Sequence, residues 1–526
     1  MFLLLIVTLI YVIILQGYGF LIQKLLNPQK LVSFDLLNGL IVVGILSTVS
    51  AIFFPLNFYY ELFVLILGLI LALYSRFWTR LKPILSFKKS FYFLLVLSAF
   101  VASMNAYIFD TFTYYLPTIK WLDDYGFVTG LVNFDFNLGQ NSMWHILQAS
   151  FNQTIDQNYK LNLIITIIYI LYLYEIKKEI FLIFLPVFYL FIASPSPDLP
   201  VFVISIMLVL NHLKNKNLES IQYGLIGSAF IVLVKPIAFV LAIYFFIIAL
   251  INFRKNIDKK VLLLLVGVTG LFFIKNIILT ANITFPLVYG NLNFLDHAIS
   301  EQIYYLSGID GKYLITSRVV PVVYEDFETW TTKEYYIYIF NNLHLSVILY
   351  LVIGLVMFLF LGFSIYKKDK KLILLASLLV LKVIIFWIIS IQYRFILDGL
   401  LIVMVIWFYH FKIKPIIVIT TVLFASLIFM FGNKLPLLKN IYFMSAMRVY
   451  NPKNVLKPNN YKLKFKKEKF SNFEVNRISN TVYSIDVAQP ALSQYLINYY
   501  SYKCIVPIAV DSSDYKKGFI SKIENY

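Results

Sequence analysis

The chain has 526 residues, of which 60% are hydrophobic and only 14% are charged, and its formal net charge is +18. Soluble domains average roughly 45 to 50% apolar and 25% charged residues, so this composition excludes an ordinary soluble protein. The single cysteine, Cys504, excludes an intramolecular disulfide and any site built from several cysteines. The composition therefore predicts a membrane protein that is stabilised by helix packing.

Apolar stretches predict an all-α polytopic membrane protein with about 12–14 transmembrane helices. Several central stretches are shorter than the roughly 20 residues that cross a bilayer unaided, and we expect these to be tilted, broken or re-entrant. The predicted segments are 2–23, 34–54, 57–75, 91–108, 161–174, 180–193, 199–211, 221–234, 237–252, 261–279, 344–365, 372–391, 395–410 and 416–431.

Basic residues fall in alternate loops, which predicts the orientation of the chain. The positive-inside rule assigns loops rich in Lys and Arg to the cytoplasm. Two long loops on the opposite side are acidic: 109–160 has five acids against two lysines, and 280–342 has seven acids against three basic residues. We expect an inner (plasma) membrane protein with both termini and both acidic loops outside. The basic loops are 24–30, 76–89, 177–178, 214–216, 254–260, 367–371 and 412–414.

The character of the chain changes after Phe431. Residues 1–431 form the predicted transmembrane domain, whereas 432–526 carry 15 Lys and Arg against 6 acids and contain alternating apolar stretches. These features predict a small, basic, exterior α/β domain. Its basic stretch is suited to anionic lipid headgroups or to an acidic polymer, and a solvated charged surface explains it equally well.

The first acidic loop holds the main candidate for chemistry. Asp110 opens this loop where a membrane helix should emerge, and Tyr114 and Tyr115 follow closely. An acid held at a membrane surface beside aromatic rings suits a reaction on a lipid-carried substrate. In a glycosyl transfer, such a carboxylate can act as general base on an acceptor hydroxyl.

Further polar and aromatic residues follow in the loop. An amphipathic helix is expected to begin near Pro117, and a polar stretch follows the turns at Gly126 and Gly130. Carboxylates, amides and aromatic faces are suited to sugar hydroxyls and rings, although each acid has a second interpretation as a solvating surface group. The candidates for substrate binding are Tyr114, Tyr115, Lys120, Asp123, Asp124, Asn141, Trp144, His145 and, in the proline-broken segment 194–200, Asp198.

Three cations are candidates for binding the phosphate of a lipid-linked donor. Lys235 and Lys275 lie in apolar surroundings at predicted outer helix ends, and Arg394 lies in a polar break between two spans. Burial of such cations is costly, so anionic partners are expected, and a lipid phosphate fits. The alternatives are snorkelling to headgroups or pairing with Asp198 or Asp398. Lys382, predicted at mid-span, is expected to pair inside the helix bundle.

Other chemistry has little sequence support. The five histidines are scattered without an HExxH pair, and the chain has neither a GxxxxGK[ST] phosphate loop nor a dinucleotide-binding fingerprint. We therefore expect no nucleotide cofactor and no zinc hydrolase activity. A divalent cation is a possible cofactor, but the sequence identifies no ligands for it. Nucleic acid is not expected as a partner, because membrane topology explains the positive charge.

Three short motifs resemble bacterial GT-C glycosyltransferases, particularly the protein mannosyltransferase-like and related uncharacterised membrane families. The first is the loop opening Asp110-Thr-Phe-Thr-Tyr-Tyr-Leu-Pro, and the second is the helix end Lys275-Asn-Ile-Ile-Leu-Thr-Ala-Asn-Ile-Thr-Phe-Pro286. The third is Gln392-Tyr-Arg-Phe395. Together they cover roughly residues 90–400. The chain departs from the family pattern because its loop follows the fourth predicted span rather than the first.

The resemblance implies a GT-C-like fold and an enzyme that transfers a sugar from a polyprenyl-phosphate donor to an exterior glycan, lipid or protein. It implies that Asp110 acts as base or metal partner and that Lys275 and Arg394 bind the donor phosphate. A second hypothesis is a carrier, flippase or polymerase partner that handles a lipid-linked glycan without this chemistry. Long polar outward loops favour the enzyme, since a carrier should concentrate polar residues at mid-membrane depth.

Overall fold

A computed structural model describes residues 1–25, 31–106, 108–253, 256–316, 324–343, 345–431, 453–456, 463–479 and 487–523. In these ranges the chain is helical up to Phe431, and short strands appear only after it. Residues 1–203, 266–299 and 411–526 form one compact unit, called unit 1, and residues 204–265 and 300–410 form unit 2.

Unit 1 contains the N-terminal helices, the first acidic loop and the C-terminal strands. Two of the helices, α10 and α13, run across the division between the units. The helices that lie wholly or partly in unit 1 are α1 Phe2–Leu25, α2 Val32–Phe53, α3 Phe58–Tyr74, α4 Phe77–Leu81, α5 Lys89–Ala102, α6 Leu116–Tyr125, α7 Met143–Ala149, α8 Leu161–Ile176, α9 Leu185–Tyr189, α10 Asp198–Asn215, α13 Lys259–Thr280, α20 Pro415–Phe431, α21 Lys453–Leu456 and α22 Gln494–Lys503.

The regular structure of unit 2 is helical in its described residues, with short loops between the helices. Its helices are α11 Leu218–Val234, α12 Phe239–Phe253, α14 Glu301–Thr316, α15 Tyr324–Glu328, α16 Thr332–Asn341, α17 Leu345–Tyr366, α18 Lys370–Ile389 and α19 Leu397–Phe408. Within unit 2, Lys382 on α18 donates to both carboxylate oxygens of Asp398 on α19, at 2.7 and 2.8 Å. The expectation that Lys382 pairs inside the bundle is thereby confirmed.

Five described helices are long and apolar enough to cross a membrane, or six if one bent pair counts as a single span. The long ones are Phe2–Lys24, Val32–Phe53, Lys259–Thr280, Leu345–Tyr366 and Lys370–Ile389, and several shorter apolar helices accompany them. The chain is therefore a predominantly helical membrane protein. The count of about 12–14 transmembrane helices and the orientation of the termini stay predictions.

Glycines allow α1 and α2 to pack with their backbones almost in contact. A Cβ atom on Gly39 would lie 2.1 Å from the carbonyl oxygen of Leu15, and one on Gly19 would lie 2.0 Å from the carbonyl oxygen of Asp35. Small residues at such crossings are the usual means by which membrane helices approach closely. This pair forms the scaffold beneath the first acidic loop, because α2 also packs against α7.

We expect Gly39→Ala to destabilise unit 1 strongly, because the added methyl group would collide with backbone rather than with a movable side chain. Overpacking of this kind costs about 1–3 kcal/mol or more. The measurement is thermal unfolding of the purified protein in detergent. Gly270→Ala on α13 is the matched control: it has nothing within 4 Å of its added Cβ and should leave the unfolding temperature unchanged or slightly higher. Equal behaviour of the two variants would contradict the packing argument.

The C-terminal strands form two small sheets. Strand β1 (Lys466–Phe470) pairs antiparallel with β2 (Phe473–Ile478), and β2 pairs parallel with β3 (Ala491–Ser493). The second sheet joins β4 (Ile505–Ala509) and β5 (Phe519–Ile523) antiparallel, with Ile508 opposite Ile520. The predicted α/β character of this segment thus rests on five strands and α22.

The C-terminal strands dock on the first acidic loop. The Phe519 amide donates to the Thr129 carbonyl at 2.9 Å, and the Asn133 side-chain amide donates to the Phe519 carbonyl at 3.1 Å. Gly518 makes this approach possible, since a Cβ there would lie 2.0 Å from the Thr129 oxygen. The C-terminal segment therefore lies on the same side of unit 1 as the loop.

Candidate active site

Asp110 lies immediately before a single π-helical turn, Thr111–Tyr115, that continues into α6. Pro117 lies in the first turn of α6, but residues 109–115 before it are also helical, so its missing N–H removes one bond within a helical stretch that begins earlier than predicted. The Tyr115 hydroxyl donates to Asp110 Oδ2 at 3.5 Å, and the Asp110 side chain is half-buried. π-helical turns occur frequently at functional sites.

Aromatic rings link Asp110 to the short helix α7. The rings of Tyr114 and Tyr115 meet edge to face with centroids 4.5 Å apart, and the Tyr115 ring lies 4.9 Å from the ring of His145 on α7. His145 also lies 6.3 Å from Tyr114. Tyr115 and His145 are completely buried, whereas Tyr114 is half-buried, so the tyrosine pair presents one partly accessible ring beside the acid.

Lys275, near the end of α13, reaches the same loop. Its Nζ donates to the carbonyl oxygen of Asn141 at 2.5 Å, and the side chain is 6% exposed. The ring of Phe272 lies 5.2 Å from the ammonium. Among the described residues no carboxylate forms an ion pair with Lys275, so its charge is buried against one carbonyl dipole and one ring face.

Two sets of contacts, Asp110–Tyr115–His145 and Lys275–Asn141, are joined by the backbone between Asn141 and His145. We call these five residues the acid–cation chain. Asn141 precedes α7, whose N-cap Ser142 accepts from the Trp144 amide at 3.1 Å, and His145 lies within that helix. Asn141 Oδ1 is buried and has no hydrogen-bond partner among the described residues. The predicted base and one predicted phosphate-binding cation thus lie in the same unit, and each is linked to the short segment from Asn141 to His145.

Lys160 fixes the backbone that leads into Asp110. Its buried ammonium donates to the carbonyls of Met104 at 3.2 Å and Ala193 at 2.6 Å, which joins the segments before Asp110 and before Asp198. The Thr111 and Ser194 hydroxyls meet at 2.6 Å and tie the same two segments together. Lys160 was not among the predicted site residues; the available signal was a lysine placed directly before the apolar run of α8.

Trp144 and Asp198 belong to the surroundings of this site. The indole of Trp144 donates to Asn162 Oδ1 at 2.6 Å, and Asn162 in turn donates to the Ser196 carbonyl at 3.1 Å. Asp198 is 1% exposed in the first turn of α10 and accepts from the Ser196 hydroxyl at 3.2 Å. Both residues therefore hold the segment that faces Thr111.

The charged residues of α6 hold the folded loop together. Asp123 accepts from the Asn152 side-chain amide at 2.7 Å, and Lys120 pairs with Asp124 at 3.4 Å, one helical turn away. Asp124 also accepts from the Gln489 amide at 3.1 Å, which anchors the C-terminal segment. The expected amphipathic helix is present, but its apolar side packs against α7 inside the protein.

Lys235 and Arg394 lie in unit 2, where they share an aromatic partner. The Lys235 ammonium lies 5.2 Å from the centroid of the Phe395 ring, and the Arg394 guanidinium lies 5.5 Å from it. Arg394 Nε also donates to Gln392 Oε1 at 2.9 Å. Two of the three predicted phosphate-binding cations thus converge on one ring. Among the described residues, no group of three or more His, Cys, Asp or Glu side chains is placed to hold a metal ion.

Asp156 predicts a pH dependence of stability. Burial raises the pKa of its carboxyl from 3.8 to about 7, although the side chain accepts from Gln148 at 2.8 Å. Between pH 4 and 7 the unfolded chain loses this proton while the folded protein keeps it, so the free energy of unfolding falls as pH rises. We expect the unfolding temperature to decrease over this window, and Asp156→Asn to reduce the slope. An identical slope in the variant would contradict the assignment.

The fold and these contacts define a helical membrane protein whose acidic loop is folded around the acid–cation chain. The chain belongs to the DUF8201 family, described as a domain of unknown function, whose family model matches residues 1–401. Comparison with curated proteins found no match, and comparison with solved structures found none. The matched region includes Asp110, Lys275, Lys235 and Arg394, whereas the C-terminal strands lie beyond it.

Proposed function

We propose that the protein is an integral membrane glycosyltransferase that moves a sugar from a polyprenyl-phosphate donor to an exterior glycan, lipid or protein. The observation that carries this proposal is the acid–cation chain, in which the half-buried carboxyl of Asp110 and the buried ammonium of Lys275 are both linked to the segment from Asn141 to His145. A carboxylate base and a phosphate-binding cation are the two groups that transfer from a lipid phosphate uses.

The surroundings of Lys275 favour an anionic ligand. Desolvation of an ammonium is costly, and one carbonyl oxygen leaves two of its three donors for another partner. The donor phosphate would supply both the negative charge and the acceptor oxygens. Because α13 is one of the long apolar helices, a lipid-linked phosphate would reach Lys275 from the membrane while its prenyl chain stays in the bilayer.

Asp110 would act as the base in the transfer. As the acceptor hydroxyl oxygen forms its bond to the anomeric carbon, Asp110 takes the hydroxyl proton. The bond between the anomeric carbon and the phosphate oxygen breaks, and polyprenyl phosphate leaves with its charge stabilised by Lys275. Tyr114, half-buried beside the acid, offers a ring face for the sugar. We retain Lys235 and Arg394 as predicted ligands of the donor phosphate. The proposal does not specify whether a divalent cation takes part.

The proposal includes likeness to the GT-C superfamily and a location in the inner membrane with the acidic loops outside. The three motifs at Asp110, Lys275 and Arg394 support this likeness, and the acidic character of the loop supports its exterior position. The loop follows α5, so the chain would carry additional N-terminal helices relative to the usual pattern.

The test in cells is mass spectrometry of surface glycans from strains with and without the gene. We expect the mutant to lack one sugar residue on a surface glycan, lipid or protein, and the wild-type gene to restore it. The Asp110→Asn protein, expressed in the mutant strain, should insert into the membrane without restoring the sugar. Identical glycan spectra in all strains would contradict the proposal.

One observation favours the second candidate function, a carrier or flippase for a lipid-linked glycan. Gln16 on α1 and Asp35 and Asn38 on α2 are polar side chains buried within long apolar helices. Polar groups inside membrane helices are typical of transport pathways. The two functions differ in the fate of the donor, because a carrier leaves the bond between sugar and phosphate intact.

A further inference from the structure

The chain turns sharply at the end of α3 and exposes a basic and apolar segment. The axis of Phe58–Tyr74 and that of Phe77–Ser86 differ by 75°. Arg76 marks the bend with a left-handed backbone, at φ 53°. The 17 residues of α3 are apolar, so we place this helix across the membrane. A segment that leaves it at this angle lies nearly parallel to the membrane surface.

This segment lies across the membrane from the first acidic loop. The start of α3 contacts that loop, where Glu61 accepts from the Thr154 amide at 2.8 Å and the Leu56 amide donates to the Leu122 carbonyl at 2.9 Å. The 17 residues of α3 then rise about 26 Å, close to the thickness of the hydrocarbon core. Residues 76–89 therefore meet the opposite leaflet, the one in which the basic loops are predicted.

The segment carries both apolar and basic side chains that are exposed or half-buried. None of the residues from Phe77 to Ser86 is buried, and the Trp78 and Leu85 side chains are 52% and 78% exposed. Arg76, Lys82 and Lys89 are exposed, and Arg80 is half-buried. The segment thus pairs a surface for acyl chains with a row of cations.

Four of the five cations in the segment have no ion-pair partner among the described residues. Lys88 pairs with Glu179 at 3.2 Å, whereas no carboxylate lies within ion-pair distance of the others. The Arg80 guanidinium donates to Gln23 Oε1 at 2.8 Å, which orients it and leaves further donors available. The four cations are Arg76, Arg80, Lys82 and Lys89.

We propose that residues 76–89 bind the phosphate headgroups of anionic phospholipids in the leaflet opposite the acidic loop. Arg76, Arg80 and Lys82 contact the phosphates, while Trp78 and Leu85 insert between the acyl chains. A bilayer surface satisfies both halves of the segment, because anionic headgroups and acyl chains lie within a few ångströms of each other. A soluble polyanion would cover the cations and leave Trp78 and Leu85 in water.

The test uses the intact protein in vesicles that contain a brominated lipid, which quenches nearby tryptophan fluorescence. The Trp78→Phe variant defines the signal of Trp78 among the six tryptophans of the chain. We expect bromine on phosphatidylglycerol to quench the Trp78 signal more strongly than bromine on phosphatidylcholine at equal content, with an enrichment of about fivefold around the segment. Equal quenching by the two lipids in the wild-type protein would overturn the proposal.

A charge variant and a matched control locate the effect. The combined Arg76→Gln, Arg80→Gln and Lys82→Gln variant should lose the preference for phosphatidylglycerol. Lys367→Gln, Lys368→Gln and Lys370→Gln remove the same charge from another exposed basic loop and should keep the preference. If the preference survives the first variant, or if both variants lose it equally, the assignment to residues 76–89 is wrong.

Discussion

Asp110→Asn is expected to reduce sugar transfer by about 10²- to 10⁴-fold, the contribution of a positioned general base. The amide has nearly the same shape but cannot take the acceptor proton at neutral pH. Because Asp110 is half-buried at the opening of the π-helical turn and an amide can still accept from the Tyr115 hydroxyl, the variant should fold and insert normally. The measurement is the initial rate of transfer by the purified protein, with its unfolding temperature recorded alongside.

The matched control for this prediction is Asp296→Asn. Asp296 is an exposed acid in the second acidic loop. Its substitution removes the same charge as Asp110→Asn but leaves the acid–cation chain unchanged. We expect its transfer rate to stay within about twofold of the wild-type rate, as usual for a surface substitution. Retained transfer in Asp110→Asn, or an equal loss in both variants, would remove Asp110 from the role of base.

Lys275→Met is expected to lower transfer while leaving the protein at least as stable as the wild type. The methionine fills a similar volume without a charge, and removal of a buried cation with no anionic partner costs the fold little. Loss of one charge-assisted hydrogen bond to the donor phosphate, worth about 1.5–3 kcal/mol, corresponds to a roughly 10- to 150-fold loss in kcat/KM for the donor. Transfer kinetics and thermal unfolding measure the two effects separately.

Lys333→Met is the matched control for Lys275→Met. Lys333 is exposed, so this substitution removes the same charge from the protein surface. Its kinetics should match those of the wild type. A parallel fall of stability and transfer in Lys275→Met would assign Lys275 a structural role through Asn141. Unchanged kinetics would contradict phosphate binding altogether.

Many residues of the candidate site could be predicted from the sequence because each one has its own local signal. Asp110 interrupts an apolar run, Pro117 marks a helix start, and Lys275 is a cation in an apolar helix. Local signals of this kind depend on neighbouring residues alone. They identified the components of the acid–cation chain but not the contact of His145 with Tyr115, which joins residues thirty positions apart.

Long-range contacts account for what the sequence could not predict. Lys160 binds carbonyls at Met104 and Ala193, which lie in separate loops. Asp123 had an interpretation as a solvated acid, yet it is buried against Asn152. The docking of the C-terminal strands on Thr129 depends on Gly518, whose missing side chain gives no periodic signal in the sequence. In each case the partner is set by the tertiary fold.

The most direct measurement follows the bond between sugar and phosphate in the donor. The purified protein, reconstituted in vesicles, is incubated with a polyprenyl-phosphate sugar and with cell-surface acceptors, and the lipid products are resolved by mass spectrometry. The proposed function predicts release of polyprenyl phosphate together with a glycosylated acceptor, and loss of both products in Asp110→Asn. Recovery of the intact donor would contradict glycosyl transfer, and its appearance on the other side of the vesicle membrane would favour a carrier.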